Sequence, residues 1–320
     1  MDEFDIIARL FAPLAQAEPG AFGLGDDAAV LTPTAGMDLV LTKDAIVEGI
    51  HFFADDPPEA IAAKLLRVNL SDLAAKGARP RAYMLAAAFP AQADEAWVTR
   101  FATGIAADQK RFGGTLIGGD TVSTPGPGFF SLTAIGELPT GTMIRRKGAR
   151  AGDLVCVSGT IGDAALYVAH RLAGAAVADV ALLEDRYRLP QPRLALGQAL
   201  KGKAHACCDI SDGLIADLGH LCEQSALGAV IEWARVPLSA AAQASLDAGP
   251  ALLETILAGG DDYELVFALA PDADLAALAA ITPVTVIGRF EAGQGVRVID
   301  AGGHDVALRR TGWRHGVGAS

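Results

Sequence analysis

Residues 56–80 read DPPEAIAAKLLRVNLSDLAAKGARP, and their spacing predicts one long amphipathic helix. Asp56 stands as its N-cap, Pro57 falls in the first turn, Glu59 completes a capping box, and Gly77 with Pro80 closes it. Ile61, Leu65 and Val68 mark the apolar stripe, and the next position on that stripe is Asp72. A carboxylate is thereby carried toward a buried face. Asp72 either satisfies a local hydrogen bond near the helix end or holds something brought to it.

Outward from this helix, apolar runs at Leu39–Leu41, Tyr83–Phe89, Leu116–Ile117 and Phe129–Leu138 predict strands. A second helix is expected over 94–113 through Trp97, Phe101 and Ile105. Residues 139–153, rich in glycine and basic residues and poor in apolar ones, read as a crossover into a second unit. There a strand over Leu154–Val157 leads through the turn Gly159-Thr160-Ile161-Gly162 into a helix running toward Leu172. Asp212 then caps a helix with core face Leu214, Leu218 and Leu221, and Tyr263–Leu269 and Val284–Ile287 read as strands. The expectation is an α/β (α+β) chain of two domains, residues 1–138 and 139–320, without internal repeat.

With 320 residues and 51% hydrophobic content, the chain can build two medium cores. Cys156, Cys207, Cys208 and Cys222 form no CxxC pair and no disulfide framework, so they are expected as reduced core residues of a cytoplasmic protein. The opening MDEFDIIARLF lacks a basic leader, and no apolar run nears the roughly 20 residues that span a bilayer, so neither secretion nor membrane insertion is expected. Asn69-Leu70-Ser71 has the form of a glycosylation sequon but carries no weight without secretion. The net charge of −12, with no Lys/Arg cluster, argues against nucleic acid as a partner. Anionic small molecules remain possible substrates if divalent cations stand between the negative charges.

Acids sit beside glycines or other turn formers at five places: Gly25-Asp26-Asp27, Thr42-Lys43-Asp44, Gly118-Gly119-Asp120, Asp209-Ile210-Ser211-Asp212-Gly213 and Gly259-Gly260-Asp261-Asp262. Each alone reads equally as an ordinary turn where a strand ends. If several converge, their mutual repulsion calls for cations, and a multinuclear Mg²⁺ site is the economical account. Glycine there would let backbone approach phosphate oxygens. There is no Walker GxxxxGK[ST] loop, the GLGDDA match to a dinucleotide fingerprint lacks a preceding strand, and 209–213 lacks the spacing and distal Glu of an EF-hand.

In order along the chain, GDDAAVL, LTKDAIVEGIHF, VNLSDLAAKGARP, LIGGDT, GDLVCVSGTIGDAAL, ISDGLIADLGHL and GGDDYELVF resemble the thiamine-monophosphate kinase family from end to end. That family belongs to the superfamily of aminoimidazole ribonucleotide synthetase and selenophosphate synthetase. The resemblance implies an N-terminal domain for ATP, Mg²⁺ and dimerisation, a C-terminal α/β domain, and a homodimer made by pairing N-terminal sheets into a β-barrel. It implies ATP-dependent phosphorylation of thiamine monophosphate to thiamine diphosphate by direct transfer, assisted by several Mg²⁺ ions. Matched position by position, it places Mg²⁺ ligands at Asp27, Thr42, Asp44, Asp72, Asp120, Asp209 and Asp212. Asp44, Asp72 and Asp120 then carry catalysis through metal, without a general base. The same matching puts Gly119, Asp120, Arg146 and Ser211 against ATP, and His51, Asp261 and Trp313 against the thiamine phosphate.

The chain departs from the family at Lys43, where a small hydroxyl residue is usual, and at Asp261, where Glu is common. Lys43 could place its ammonium beside a phosphate. Read without the resemblance, His51 between Ile50 and Phe52 is a packing histidine, Trp313 a tail anchor or a stacking face, and Arg146 a solvated linker charge or a phosphoryl clamp. The rival activities are another ATP-using enzyme of the superfamily and a non-catalytic cation-binding module. A selenophosphate synthetase would carry a reactive Cys or selenocysteine in its N-terminal segment, and no cysteine precedes Cys156. A hydrogenase-maturation relative would end in a cysteine-bearing tail, and this sequence ends Gly318-Ala319-Ser320.

Overall fold

A computed structural model describes residues 3–313, which fall into two units: residues 1–73 with 78–142, and residues 74–77 with 143–320. The first holds a short helix α1 (Glu3–Ile6), strand β1 (Met37–Val47), helix α2 (Pro58–Ala75), strand β2 (Arg79–Pro90), helix α3 (Glu95–Phe112), and strands β3 (Leu116–Thr124) and β4 (Phe129–Pro139). The second holds β5 (Leu154–Ser158), α4 (Asp163–Ala173), α5 (Val180–Arg188), α6 (Leu194–Leu200), β6 (Ala206–Asp209) and α7 (Leu214–Ser225). It continues through β7 (Gly228–Glu232), α8 (Ala240–Ala248), α9 (Leu253–Ala258), β8 (Leu265–Leu269), α10 (Leu275–Ala279), β9 (Val284–Glu291) and β10 (Gly295–Ile299).

The first unit is a four-stranded sheet in the order β1-β4-β2-β3, antiparallel except for the β2–β3 pair that α3 connects. Successive residues of a strand face opposite sides, so the register divides the sheet cleanly. One face carries Val40, Thr42 and Asp44 with Leu132, Leu85 and Phe130, and α2 and α3 cover it. The ring of Phe101 on α3 lies 4.8 Å from that of Phe130, and Asp94 caps α3 by accepting from the Trp97 N–H at 2.8 Å. The other face is covered in part by Ala15 and Ala21 of the N-terminal segment, packed on Ala82, Ile117 and Ile135. Leu41, Met84, Val122 and Phe129 share that second face and stay 64%, 42%, 51% and 42% exposed.

Helix α2 begins as the prolines suggest, with the Pro57 carbonyl accepting from Ile61 N–H at 3.0 Å. The expected capping box is absent in one half: Glu59 reaches Arg100 at 2.9 Å, and Asp56 accepts from the Phe53 N–H of the preceding turn at 2.8 Å. The cross-helix cation outcompetes the local cap. Arg67 of α2 and Asp108 of α3 form a buried two-pronged ion pair at 2.6 and 2.8 Å, which fixes one helix on the other.

The second unit is a six-stranded mixed sheet in the order β10-β7-β9-β5-β8-β6, in which only β10–β7 is parallel. Its core joins Cys156, Cys207, Leu265 and Phe267 to Leu196 and Leu200 of α6. All four cysteines are buried and free, and burial pushes the thiols of Cys156 and Cys207 up to about 12. They are inert packing residues. Sequence periodicity misses β6, β7 and β10, which are four or five residues long, and it begins β8 two residues early because Tyr263 is apolar but lies in a turn. Among the described residues no helix is long and apolar enough to cross a membrane.

Arg67→Met leaves the Asp108 carboxylate buried without its cation, and should cost about 3–5 kcal/mol in urea unfolding. The double variant Arg67→Met/Asp108→Leu should recover most of that loss, and an unchanged midpoint in the single variant would show that the pair does not hold α2 to α3.

Candidate active site

On the covered face of the first sheet, three of the expected residues come together. The Thr42 hydroxyl, on edge strand β1, donates to Asp72 Oδ2 in a short hydrogen bond. Asp44, two residues further along the same face, is raised from 3.8 to about 6, first by burial and then by the negative charge of Asp72. Its backbone N–H donates at 3.0 Å to Asn69 Oδ1, and Asn69 Nδ2 donates to the Leu65 carbonyl at 2.9 Å. Asn69 is fully buried, so the sequon motif is a structural amide. Asp72 is thus not satisfied locally on its own helix: the stripe of α2 presses it onto β1. Lys43 falls on the opposite face of β1, in the row of Thr133 and Met84, turned away from Thr42 and Asp44.

A second group forms around β3. Asp27 and Asp120 line a common cavity of about 130 Å³ with Gly118 and Gly119, floored by Leu85, Leu116 and Ile117. A Cβ at Gly119 would stand 1.9 Å from the Leu85 carbonyl oxygen, so only glycine lets β3 approach β2 here. The register Asp44↔Leu132, Leu132↔Leu85, Leu85↔Gly119 puts this group on the far edge of the sheet, three strand spacings or about 14 Å from Asp44. Within one copy of the first unit, the four aspartates therefore form two pairs and not one cluster. Two of the expected turns are also strand interiors, since Thr42–Asp44 lies inside β1 and Gly118–Asp120 inside β3. Gly and Asp look like turn residues, but edge strands with an open face accommodate them.

The second unit assembles its own group. Asp209 ends β6, buried, and residues 210–213 lead into α7. Gly213, not Asp212, is the helix cap. The cap is replaced by Asp217 from the first turn, whose Oδ2 accepts from the N–H groups of Ser211 and Asp212 at 3.0 and 2.9 Å. Burial raises Asp217 to about 7 against those hydrogen bonds. Ligand atoms of Asp212, Asp217 and His220 all lie within 4.8 Å of one another. The Ser211 carbonyl accepts from Asp261 N–H at 2.9 Å, and the Asp212 carbonyl from Trp313 N–H at 2.9 Å. Ser211, Asp212, Asp261 and Trp313 are therefore neighbours, with the indole 56% exposed.

Asp261 and Tyr263 are both left-handed, at φ 72° and 51°, and the Tyr263 hydroxyl donates to Asp261 Oδ1 at 3.1 Å. Two strained non-glycine residues flank half-buried Asp262, whose inward carboxyl is held by burial well above the usual carboxylate range, and they mark a loop kept in place by its surroundings. Gly260 fits because a Cβ there would meet the Ser211 carbonyl oxygen at 2.1 Å. Arg146 is exposed and lines a cavity of about 330 Å³ with Arg145, Lys147, Lys76 and His220, an anion-attracting concavity in an acidic protein.

Every donor in the Thr42, Asp44, Asp72 group is oxygen, and the two carboxylates repel each other in partial burial. Hard oxygen donors with unneutralised charge suit Mg²⁺, and no nitrogen or sulfur ligand competes. His51 stands beyond the end of β1 at the turn 47–52, where its Nδ1 accepts from the Val47 N–H at 3.1 Å.

Residues 25–138 match the family model of the AIR synthase related protein N-terminal domain, and residues 150–301 match its C-terminal domain. A thiamine-monophosphate kinase of Caulobacter vibrioides is 46% identical, over 98% of this chain and 91% of its own length. The chain belongs to the thiamine-monophosphate kinase family. A crystal structure of the thiamine-monophosphate kinase from Stenotrophomonas maltophilia superposes with TM-score 0.83 at 40% identity, covering 93% of this chain and 96% of its own. Another solved structure, AaThiL complexed with AMPPCP and TMP, gives TM-score 0.78 at 30% identity, covering 93% and 98%.

The matching by motif gives Asp217 no role, although it lies within ISDGLIADLGHL. It lies on the Leu214, Leu218, Leu221 stripe as Asp72 lies on that of α2, so the same signal, an acid on a buried stripe, is enough to find it. The cations around Arg146 give no such signal, because Lys76 and His220 join them only through tertiary structure.

The Asp44 shift has a sign that can be measured. Its folded-state value is raised, so the stability it contributes is fully present below about 4 and is lost as pH rises through about 6. Without metal, the melting temperature should fall across that window, and Asp44→Asn should flatten the fall. Added Mg²⁺ should stabilise above pH 6 and not below it; a metal-free pH profile identical in Asp44→Asn would exclude the strained carboxylate pair.

Proposed function

We propose that this chain phosphorylates thiamine monophosphate to thiamine diphosphate with ATP, by direct in-line transfer supported by several Mg²⁺ ions. Membership of the thiamine-monophosphate kinase family supports the substrates, and the relative solved with AMPPCP and TMP supports both ligands on this fold. The observation that carries the mechanism is the pairing of Asp44 with Asp72 beside the Thr42 hydroxyl, a set of hard donors short of positive charge.

Asp27, Thr42, Asp44, Asp72 and Asp120 on the first unit, and Asp209 and Asp212 on the second, are the residues that would hold metal. Mg²⁺ bound there would neutralise the roughly six negative charges that ATP and a monoester bring together and would fix their orientation. Gly119 and Ser211 offer backbone and hydroxyl contacts to ATP, and Arg146 offers a cation. His51, Asp261 and Trp313 face the thiamine phosphate, with the exposed indole suited to stack on a flat ring. The monoester is already largely dianionic at neutral pH, so its oxygen attacks without a general base. The aspartates stay ionised as holders of metal and accept no proton.

The open face of the first sheet supports a homodimer. Leu41, Met84, Val122 and Phe129 are four exposed apolar residues on one face of this sheet, and pairing with a second copy's sheet would cover them and close a barrel. The buried reduced cysteines support a cytoplasmic location.

The direct experiment supplies Mg·ATP and thiamine monophosphate and detects thiamine diphosphate. Asp72→Asn and Asp120→Asn should abolish transfer while circular dichroism stays native, and full activity in either would contradict the metal-holding role. No labelled phosphate should be trapped on the protein from γ-labelled ATP. Calcium alone stabilising the protein as much as Mg²⁺ with a non-hydrolysable ATP analogue would favour a binding module over an enzyme. Met84→Asp should shift the sedimenting species from dimer to monomer; a wild type that sediments as a monomer at micromolar concentration would remove the dimer.

A further inference from the structure

Lys64 is among the largest fully buried side chains of the molecule, at 2% exposure. A lysine is seldom buried so deeply, because its ammonium loses hydration that only specific partners restore. Its Nζ donates to the backbone carbonyl of His51 at 2.8 Å. His51 lies in a turn that is tied at several other points. Its N–H donates to the Val47 carbonyl at 2.9 Å, the Val47 N–H donates to its Nδ1 at 3.1 Å, and Gly49 N–H reaches Phe52 O at 2.8 Å. The neighbouring Glu48 carboxylate accepts from Gly128 N–H at 2.8 Å, anchoring the turn to the start of β4.

A ring nitrogen that accepts from a backbone N–H carries no proton, so neutral His51 holds its proton on Nε2. The ring thereby carries its hydrogen-bond donor at Nε2.

Lys64 and Asp72 are eight residues apart on α2, two turns and a little more, hence on one side of the helix and about 12 Å apart along it. Asp72 grips Thr42 on β1, Asn69 grips the Asp44 N–H, and Lys64 grips the turn that follows β1. One helix face thus spaces the carboxylate pair from the imidazole.

We propose that Lys64 is a positioning residue for thiamine monophosphate: its buried ammonium clamps the His51 carbonyl, so that the 47–52 turn presents His51 Nε2–H to the substrate at a fixed distance from Asp44 and Asp72. The proposal rests on the reading of His51 as a substrate contact. Lys64 itself touches neither substrate nor metal. What it supplies is the orientation of a donor, so its loss weakens substrate binding without altering the transfer step.

Lys64→Met keeps the length and apolar stem and removes the ammonium. The KM for thiamine monophosphate should rise roughly tenfold, the size of one lost oriented hydrogen bond, with kcat and the KM for ATP nearly unchanged. A packing role alone would lower the melting temperature and disturb both substrates alike. Lys64→Gln, which retains an N–H donor, should recover part of the loss, and it takes the place of Lys64→Met should that variant fail to fold.

Long-range ¹⁵N–¹H spectra of His51 at a pH where the ring is neutral read the device without substrate. Wild type should show the single Nε2–H tautomer, and Lys64→Met a mixture. In a cycle with His51→Ala, the two substitutions should not add. An unchanged tautomer in Lys64→Met, or additive effects on KM, would overturn the proposal. A normal KM in His51→Ala would instead remove His51 from the substrate site, while the tautomer measurement still decides whether Lys64 orients the ring.

Discussion

Two like charges held together in partial burial organise the first unit. Asp44 and Asp72 would separate if they were free to, yet one is fixed in an edge strand and the other on a helix that cannot retreat. The helix is held by the apolar stripe below Asp72, by the buried Arg67–Asp108 pair, and by Asn69 and Lys64 gripping the backbone of β1 and its following turn. The repulsion is therefore built into the fold, and a divalent cation bound there would relieve it.

The remaining acids are distributed by topology. The sheet order β1-β4-β2-β3 sends the Asp27 and Asp120 pair to the edge opposite Asp44, with a partly covered face between the edges. The partly open face is what the proposed pairing with a second copy would cover. In the second unit the same logic recurs with different parts. Asp217 turns back from α7 to hold the amides of Ser211 and Asp212, and the strained residues Asp261 and Tyr263 keep the neighbouring loop against Ser211. Both units thus set an acid of a helix stripe against a neighbouring segment, Asp72 against Thr42 of β1 and Asp217 against the amides of Ser211 and Asp212.

Much of this architecture is legible in the amino-acid sequence alone. Periodicity places α2 and α3 within two residues, because long amphipathic helices repeat their signal many times. Short strands such as β6 and β10 offer too few residues for a period to register. Composition and local pattern also settle the buried, reduced cysteines, the absence of a Walker loop and the acid on the α2 stripe, and the order of motifs names the family. These are properties of neighbouring residues or of the residue list itself, and they hold without knowledge of contacts. Tertiary structure alone decides that Thr42 and Asp72 meet, that Asp44 and Asp120 stand at opposite edges of one sheet, that Glu59 abandons its cap for Arg100, and that Lys64 ends beneath His51. Each depends on strand register or helix docking, whose contacts here join residues 13 to 41 positions apart, and no local pattern encodes which distant partner will win.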